Sequence, residues 1–253
     1  MKNRREANKL KLNLSNPIGL ENLSDDKMIA IGKEGKLLVL KVGEKDFIID
    51  DEFNTTTPIG YFSLNPFKTM LVYTSSLEGT VYGMFISSHN EQIFATNLEN
   101  PTKISFSKNG RYLAIGYQSG KIDVLDVASR ETVKSLVSNI FGVSPIEHIS
   151  AGYEDSWLAV YKNKYIASWK INGQLSSNKK LSSLPVSMAV DTQTGVIAIG
   201  SRKGYIRILS SDFEKTLFSK KVHESKINKI LILNNAKIIV SVGNDSSIRM
   251  IRR

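Results

Sequence analysis

The sequence predicts an all-β fold built from six repeated four-stranded units. Three observations carry that prediction: self-similarity at a period of about 40–45 residues, a glycine-type turn at the same place in each unit, and an apolar run just before that turn. The clearest unit is residues 104–136, ISFSKNGRYLAIGYQSGKIDVLDVASRETVKSL. An alternating run opens it, Lys108-Asn109-Gly110 turns the chain, 112–117 is a buried run, and Gln118-Ser119-Gly120 turns it again. Two more β-rich runs follow, 122–127 and 132–136. Alternation punctuated by Asn-Gly and Ser-Gly turns is the signature of a meander.

Aligned on the turn before the third strand, the six units fall at Gly35, Gly79, Gly120, Lys164, Gly204 and Ser246. The second strands then read MIAIG, LVYTS, LAIGY, LAVY, IAIGS and IVSVG. The third strands read LLVLKV, VYGMFI, IDVLDV, IASWKI, IRILSS and IRMIRR. This period and strand count point to a WD-repeat β-propeller. Each sheet has two apolar faces that it cannot bury alone, and packing against neighbouring sheets buries them. The blades are expected at 18–54, 55–100, 101–142, 143–184, 185–225 and 226–253, in a single domain over 9–253. The last unit ends after its third strand, so the lone run KLKLNL at 9–14 is expected to supply that blade's outer strand. Residues 1–8 are polar and charged and read as a disordered basic tail.

Composition narrows the function. The chain has 253 residues, of which 41% are hydrophobic, enough for a sizeable core. It has no cysteine, which excludes disulfides, cysteine-ligated zinc and a thiol nucleophile. No apolar run reaches the roughly 20 residues a membrane helix needs, and the N-terminus lacks the apolar stretch of a signal peptide. The net charge of +10 implies either a solubilising surface or an anionic partner. Basic residues crowd both termini, and Lys9, Lys11, Lys226, Lys229, Arg249, Arg252 and Arg253 are expected to merge into one patch.

Reactive constellations are scarce. No nucleophile elbow or phosphate loop is present. His89 sits in a polar stretch and reads as solvent-exposed, and His148 falls in a predicted first strand and reads as structural. His223 precedes the first strand of the last blade, where WD repeats place an inward-bonding histidine; Ser241 and Asp245 are its partners by position. Trp169 fills the repeat's signature tryptophan position in blade four, whereas Ile251 fills it in blade six. Trp157 reads as a partly exposed packing residue. The acidic run Asp50-Asp51-Glu52 reads as a solvated loop. No metal site is expected. The basic termini lack the interleaved aromatics of single-strand nucleic-acid binders.

Two stretches go beyond the generic repeat. Residues 13–42, NLSNPIGLENLSDDKMIAIGKEGKLLVLKV, open on Asn-x-x-x-Pro and end on Leu-x-Val-Leu. The terminal segments VSMAVDTQTGVIAIGSRKGYIRIL, VHESKINKILIL and IIVSVGNDSSIRMI form the other. Together they resemble the first blade and the last two blades of a WD-repeat family: the membrane-anchored guanine nucleotide exchange factors that start COPII coat assembly by activating a Sar-type small GTPase. The resemblance implies a cytosol-facing propeller in ER-to-Golgi transport, held at the endoplasmic reticulum if the chain continues into an anchor. It also places GTPase contacts on the blade-one turn, Lys33, Glu34, Gly35 and Lys36. The family has seven blades and a long potassium-binding loop in blade one; here six units are counted and the loop is reduced to Gly32-Lys33-Glu34-Gly35-Lys36, so no cofactor is expected. Exchange would need no bond making, only tighter binding of the nucleotide-free GTPase than of the loaded one. The other partner expected for the basic edge is an anionic membrane surface. The alternative is a scaffold subunit of a larger assembly, such as a ribonucleoprotein, with its basic edge on RNA.

Overall fold

The computed structural model describes residues 12–43 and 46–253. The fold is an all-β, six-bladed propeller; the described residues form antiparallel meanders and no helix. Blade one holds β1 (Pro17–Asn22), β2 (Lys27–Gly32), β3 (Lys36–Val42) and β4 (Phe47–Asn54). Blade two holds β5 (Ile59–Leu64), β6 (Met70–Ser75), β7 (Val81–Phe85) and β8 (Glu91–Ala95). Blade three holds β9 (Pro101–Phe106), β10 (Tyr112–Tyr117), β11 (Ile122–Asp126) and β12 (Thr132–Leu136). Blade four holds β13 (Ile146–Ala151), β14 (Ser156–Tyr161), β15 (Tyr165–Lys170) and β16 (Leu175–Lys180). Blade five holds β17 (Ser187–Val190), β18 (Ile197–Gly200), β19 (Tyr205–Leu209) and β20 (Thr216–Lys221). In blade six the described residues form three strands, β21 (Ile227–Leu233), β22 (Ile238–Gly243) and β23 (Ile248–Arg252).

The chain divides into two compact units, meeting in sequence at Leu98 and Glu99. The first unit carries blades one and two. Its core joins Ile29, Ile31, Leu37 and Val39 of blade one to Ile59, Leu71, Tyr73 and Met84 of blade two. In the second unit, the first strands β9, β13, β17 and β21 lie in sequential contact. Three clusters fill the spaces between its sheets, the largest around Phe141, Trp157, Tyr161 and Trp169. The second strands β6, β10 and β14 are almost wholly buried, which is why they read as continuous apolar runs, whereas the third strand of blade six, β23, is largely exposed.

The turn joining second to third strand repeats in detail. Gly35, Gly120, Lys164, Gly204 and Ser246 all have positive φ, at 101°, 89°, 77°, 81° and 57°. Gly79 is a glycine for a different reason: a Cβ there would stand 2.0 Å from the Leu98 carbonyl oxygen. The same turn clasps the connection into the next blade. The Gly35 carbonyl accepts from Thr55 N, that of Lys164 from Leu181 N, and that of Gly204 from Val222 N.

Several readings change. Trp157 is fully buried in β14 opposite Trp169, since the strand starts one residue before it. Asp50, Asp51 and Glu52 lie in β4, not in a loop. The apolar Phe47, Ile48 and Ile49 carry the strand, and each acid finds a cationic or imidazole partner: Lys27, His89 and Lys36 respectively. His89 is exposed, in line with its reading, and it also stacks on Phe53 with ring centroids 4.1 Å apart. The tail 1–8 and residues Lys9 and Lys11 lie outside the described residues. Of the expected closing strand, residues 12–14 are described and form no strand; Leu12 and Leu14 pack against Ala30, Leu38 and Leu40.

Candidate functional site

Blade six contains a serine, a histidine and an aspartate in line. His223 Nε2 lies 2.8 Å from Ser241 Oγ, and its Nδ1 lies 2.9 Å from Asp245 Oδ1. Ser247 Oγ and the Glu224 N–H both donate to Asp245. Desolvation acts to raise the Asp245 carboxyl, but these donors and His223 outweigh it and hold the group well below the usual carboxylate range. The geometry resembles a hydrolytic triad. The set is sealed: Ser241 and His223 are each 1% exposed, so a substrate carbonyl would reach the hydroxyl only if the blade opened. Two glycines shape the seat. A Cβ on Gly243 would stand 2.5 Å from the His223 Nδ1, and one on Gly204 1.8 Å from its carbonyl oxygen. The set is a polar cross-brace tying the connection before β21 to the β22–β23 turn.

The blade-one turn is likewise committed. Asn16 Nδ2 donates to Glu34 Oε1 at 2.6 Å, which is the main reason that carboxyl sits below its ordinary value. Lys36 pairs with Glu52 at 2.6 Å, and Gly35 is buried with Thr55 against it. Lys33 is exposed.

Open, charged concavity occurs elsewhere, in the second unit. A groove of about 700 Å³ runs over the edge where the turns and inter-blade connections of blades four to six lie. Its floor is apolar: Leu184, Pro185, Val186 and Ile199. Its walls carry Lys103, Lys164, Arg202, Lys203, Arg207 and Lys226 against one carboxylate, Glu147. Local structure explains how these come together. In β13 the register slips between Ile146 and His148, a β-bulge that lets successive residues Glu147 and His148 both line the groove. Lys164 occupies the left-handed turn position of blade four, while Arg202 and Lys203 cap the same turn in blade five. Arg207 donates to Ser182 Oγ at 2.5 Å, and His148 Nε2 lies 3.3 Å from the Pro185 carbonyl oxygen. Burial pushes the His148 imidazole down, and Lys103 nearby adds to the effect. Lys103 is itself lowered by burial, with Glu147 opposing. Among the described residues, Lys164, Arg202, Lys203 and Lys226 form no ion pair.

Sequence reasoning missed this groove, because its cations are spread from position 103 to 226. Of the expected basic patch only Lys226 lines it. The antiparallel register separates the other described members. Asn244 N bonds the Lys226 carbonyl at one end of blade six, while Arg253 N bonds the Lys237 carbonyl at the other. The intervening β22 has six residues, so these ends stand roughly 15–20 Å apart at about 3.3 Å per residue. Lys229, Arg249 and Arg252 are exposed along the strands between. Among the described residues, no three or more His, Asp or Glu side chains gather as a metal site, and no helix is long and apolar enough to cross a membrane.

No family model and no curated protein matches the chain. Solved structures do: 1823 chains match, so the likeness is too widely shared to single out a partner. One is a chain in the crystal structure of the mitotic checkpoint complex, with a TM-score of 0.66 and 14% identity over 77% of this chain and 62% of that one. Another is the Cps50 (Swd1) β-propeller domain of Myceliophteria thermophila, with a TM-score of 0.63 and 15% identity over 77% of this chain and 65% of that one. The chain thus spans less than two thirds of either. At this identity the likeness establishes the fold, a WD-type β-propeller of six blades.

Proposed function

We propose that the chain is a non-catalytic propeller that docks a protein partner on the basic groove of its second unit. The carrying observation is the gathering of Lys164, Arg202, Lys203 and Lys226, none in an ion pair, around an apolar floor. Unpaired cations lining one concavity attract and orient an anionic partner. The Ser241–His223–Asp245 arrangement is sealed as a brace. A structural neighbour that belongs to a multi-protein complex is in keeping with this reading.

The sequence resemblance proposes the first partner to try, a Sar-type small GTPase at a cytosol-facing site. In that reading the blade-one turn contributes chiefly through Lys33, since Glu34 and Lys36 already have partners. The test is binding of the purified protein to that GTPase loaded with GDP, loaded with GTP and free of nucleotide. The docking reading expects binding that is lost on Arg202→Glu with Lys203→Glu. Binding that instead fails with Lys33→Ala, and comes with faster release of a fluorescent GDP analogue, moves the site to blade one and restores exchange. Absence of binding in every state removes the GTPase.

A further inference from the structure

The groove has a neighbour that gives its occupant a second chemical requirement. The connection between blades three and four exposes Val137, Ile140 and Val143 at 62%, 55% and 89%. Exposed apolar residues on a floppy loop would mean little, but this loop is pinned. Phe141 is buried with its ring centroid 4.3 Å from that of Tyr161. Asn163 Nδ2 donates to the Phe141 carbonyl at 2.6 Å, and Asn163 N donates to Ser144 Oγ at 3.0 Å. Asn163 belongs to the same tight turn as Lys164, which lines the groove. This pinned apolar finger is thereby tied to the turn that carries Lys164, a lining residue of the groove.

We infer that this composite surface takes an extended acidic peptide segment that alternates carboxylates with apolar side chains. The inference rests on the docking reading above and adds the partner's chemistry. An extended strand alternates its side chains between two sides. Carboxylates on one side meet Arg202, Lys203 and Lys226; apolar residues on the other meet Leu184, Val186 and the finger. RNA fits less well. Its phosphates would satisfy the cations, but sequence-tolerant RNA binding needs aromatic platforms, and Tyr205 is the one aromatic lining the groove. A flat bilayer surface would meet the exposed cations at the rim but leave the apolar floor uncovered.

The test uses the full chain and fluorescence anisotropy with a labelled synthetic peptide alternating glutamate and leucine. Comparison probes are the same peptide with lysine for glutamate, the same with serine for leucine, oligouridylate, and phosphatidylcholine vesicles with and without phosphatidylserine. The glutamate–leucine peptide is expected to bind best and to weaken as salt rises. Arg202→Glu with Lys203→Glu should weaken it by about tenfold or more, since two attractions become repulsions. Val143→Ser, at an exposed position, should weaken it by about threefold. An unchanged thermal midpoint checks that each variant is folded. Tighter binding of oligouridylate or of phosphatidylserine vesicles, or peptide binding indifferent to the charge reversal, overturns the inference. If the peptide does not bind but the GTPase does so in a groove-dependent way, the peptide inference fails and the docking reading stands. If neither binds, both fall.

Discussion

Blades four and six solve one structural problem with opposite chemistry. Both must fix the inter-blade connection and the turn between second and third strands. Blade four does it with rings: Trp157 and Trp169 face each other across β14 and β15, Trp169 Nε1 donates to Tyr161 Oη at 3.2 Å, and Phe141 packs against both Tyr161 and Trp169. Blade six has Ile251 where blade four has Trp169, and is held by the His223–Ser241–Asp245 hydrogen bonds. The aromatic solution tolerates imperfection. The Trp157 indole N–H is buried without a partner, a loss of about 1–3 kcal/mol. Burying roughly 150–250 Å² of indole returns about 4–6 kcal/mol, so packing wins. The polar brace has less margin, because loss of His223 leaves the buried Ser241 hydroxyl unsatisfied and loss of Ser241 does the same to the buried imidazole.

The comparison breaks first under truncation. Trp169→Ala should lose about 3–5 kcal/mol through the cavity it opens. His223→Ala should lose about 1–3 kcal/mol, chiefly by leaving the buried Ser241 hydroxyl without its partner, since Asp245 keeps Ser247 and the Glu224 N–H. Denaturant unfolding measures both; equal losses would mean the two braces are energetically alike.

Extremes of pH separate the blades by sign. Burial pushes the Tyr161 phenol up to about 12 from an ordinary 10.0. A raised folded value means a contribution complete below the ordinary value and lost as pH rises through the folded one, so blade four loosens in alkali. The Asp245 carboxyl is shifted the other way, so its contribution holds above the ordinary carboxylate value and is lost as pH falls through the folded one. Both tryptophans of the chain lie in blade four. Their fluorescence should therefore change in alkali while amide exchange in β21, β22 and β23 quickens first in strong acid. The same order of events at both ends would show that the blades do not yield separately.

The smallest effect sharpens the shared turn. Lys164 and Ser246 hold left-handed conformations without being glycine, at a cost of about 1–2 kcal/mol each. Lys164→Gly and Ser246→Gly should each raise stability by about 1 kcal/mol, less the entropy glycine gives the unfolded chain. Lys164→Gly should also weaken groove binding. No gain at Ser246 would mean that its side chain belongs to the brace.

Much of this was legible. The repeated second strands announce themselves because burial on two faces leaves only apolar residues tolerable there. His223 could be paired with Ser241 and Asp245 from repeat position alone. What escaped depends on pairing and folding back. The acids of β4 read as a loop because their cations come from elsewhere in the first unit. Trp157 read as half-exposed because strand ends are invisible to pattern. The groove gave no signal at all, since Lys103, Lys164 and Lys226 meet only once β9, β13, β17 and β21 stand side by side.

The clasp between each turn and the connection into the next blade also decides where the chain can be cut. In the second unit the turns at Lys164 and Gly204 each hold the connection into the following blade, so a break there loosens that connection as well as its own hairpin. The backbone of the outer hairpin turn around Gly173 hydrogen-bonds across its own strands, from Lys170 N to Gln174 and from Gly173 N to Lys170. New termini or an inserted domain placed there would leave every clasp closed. The blades are thus joined by overlapping seams rather than at the points where one repeat ends and the next begins.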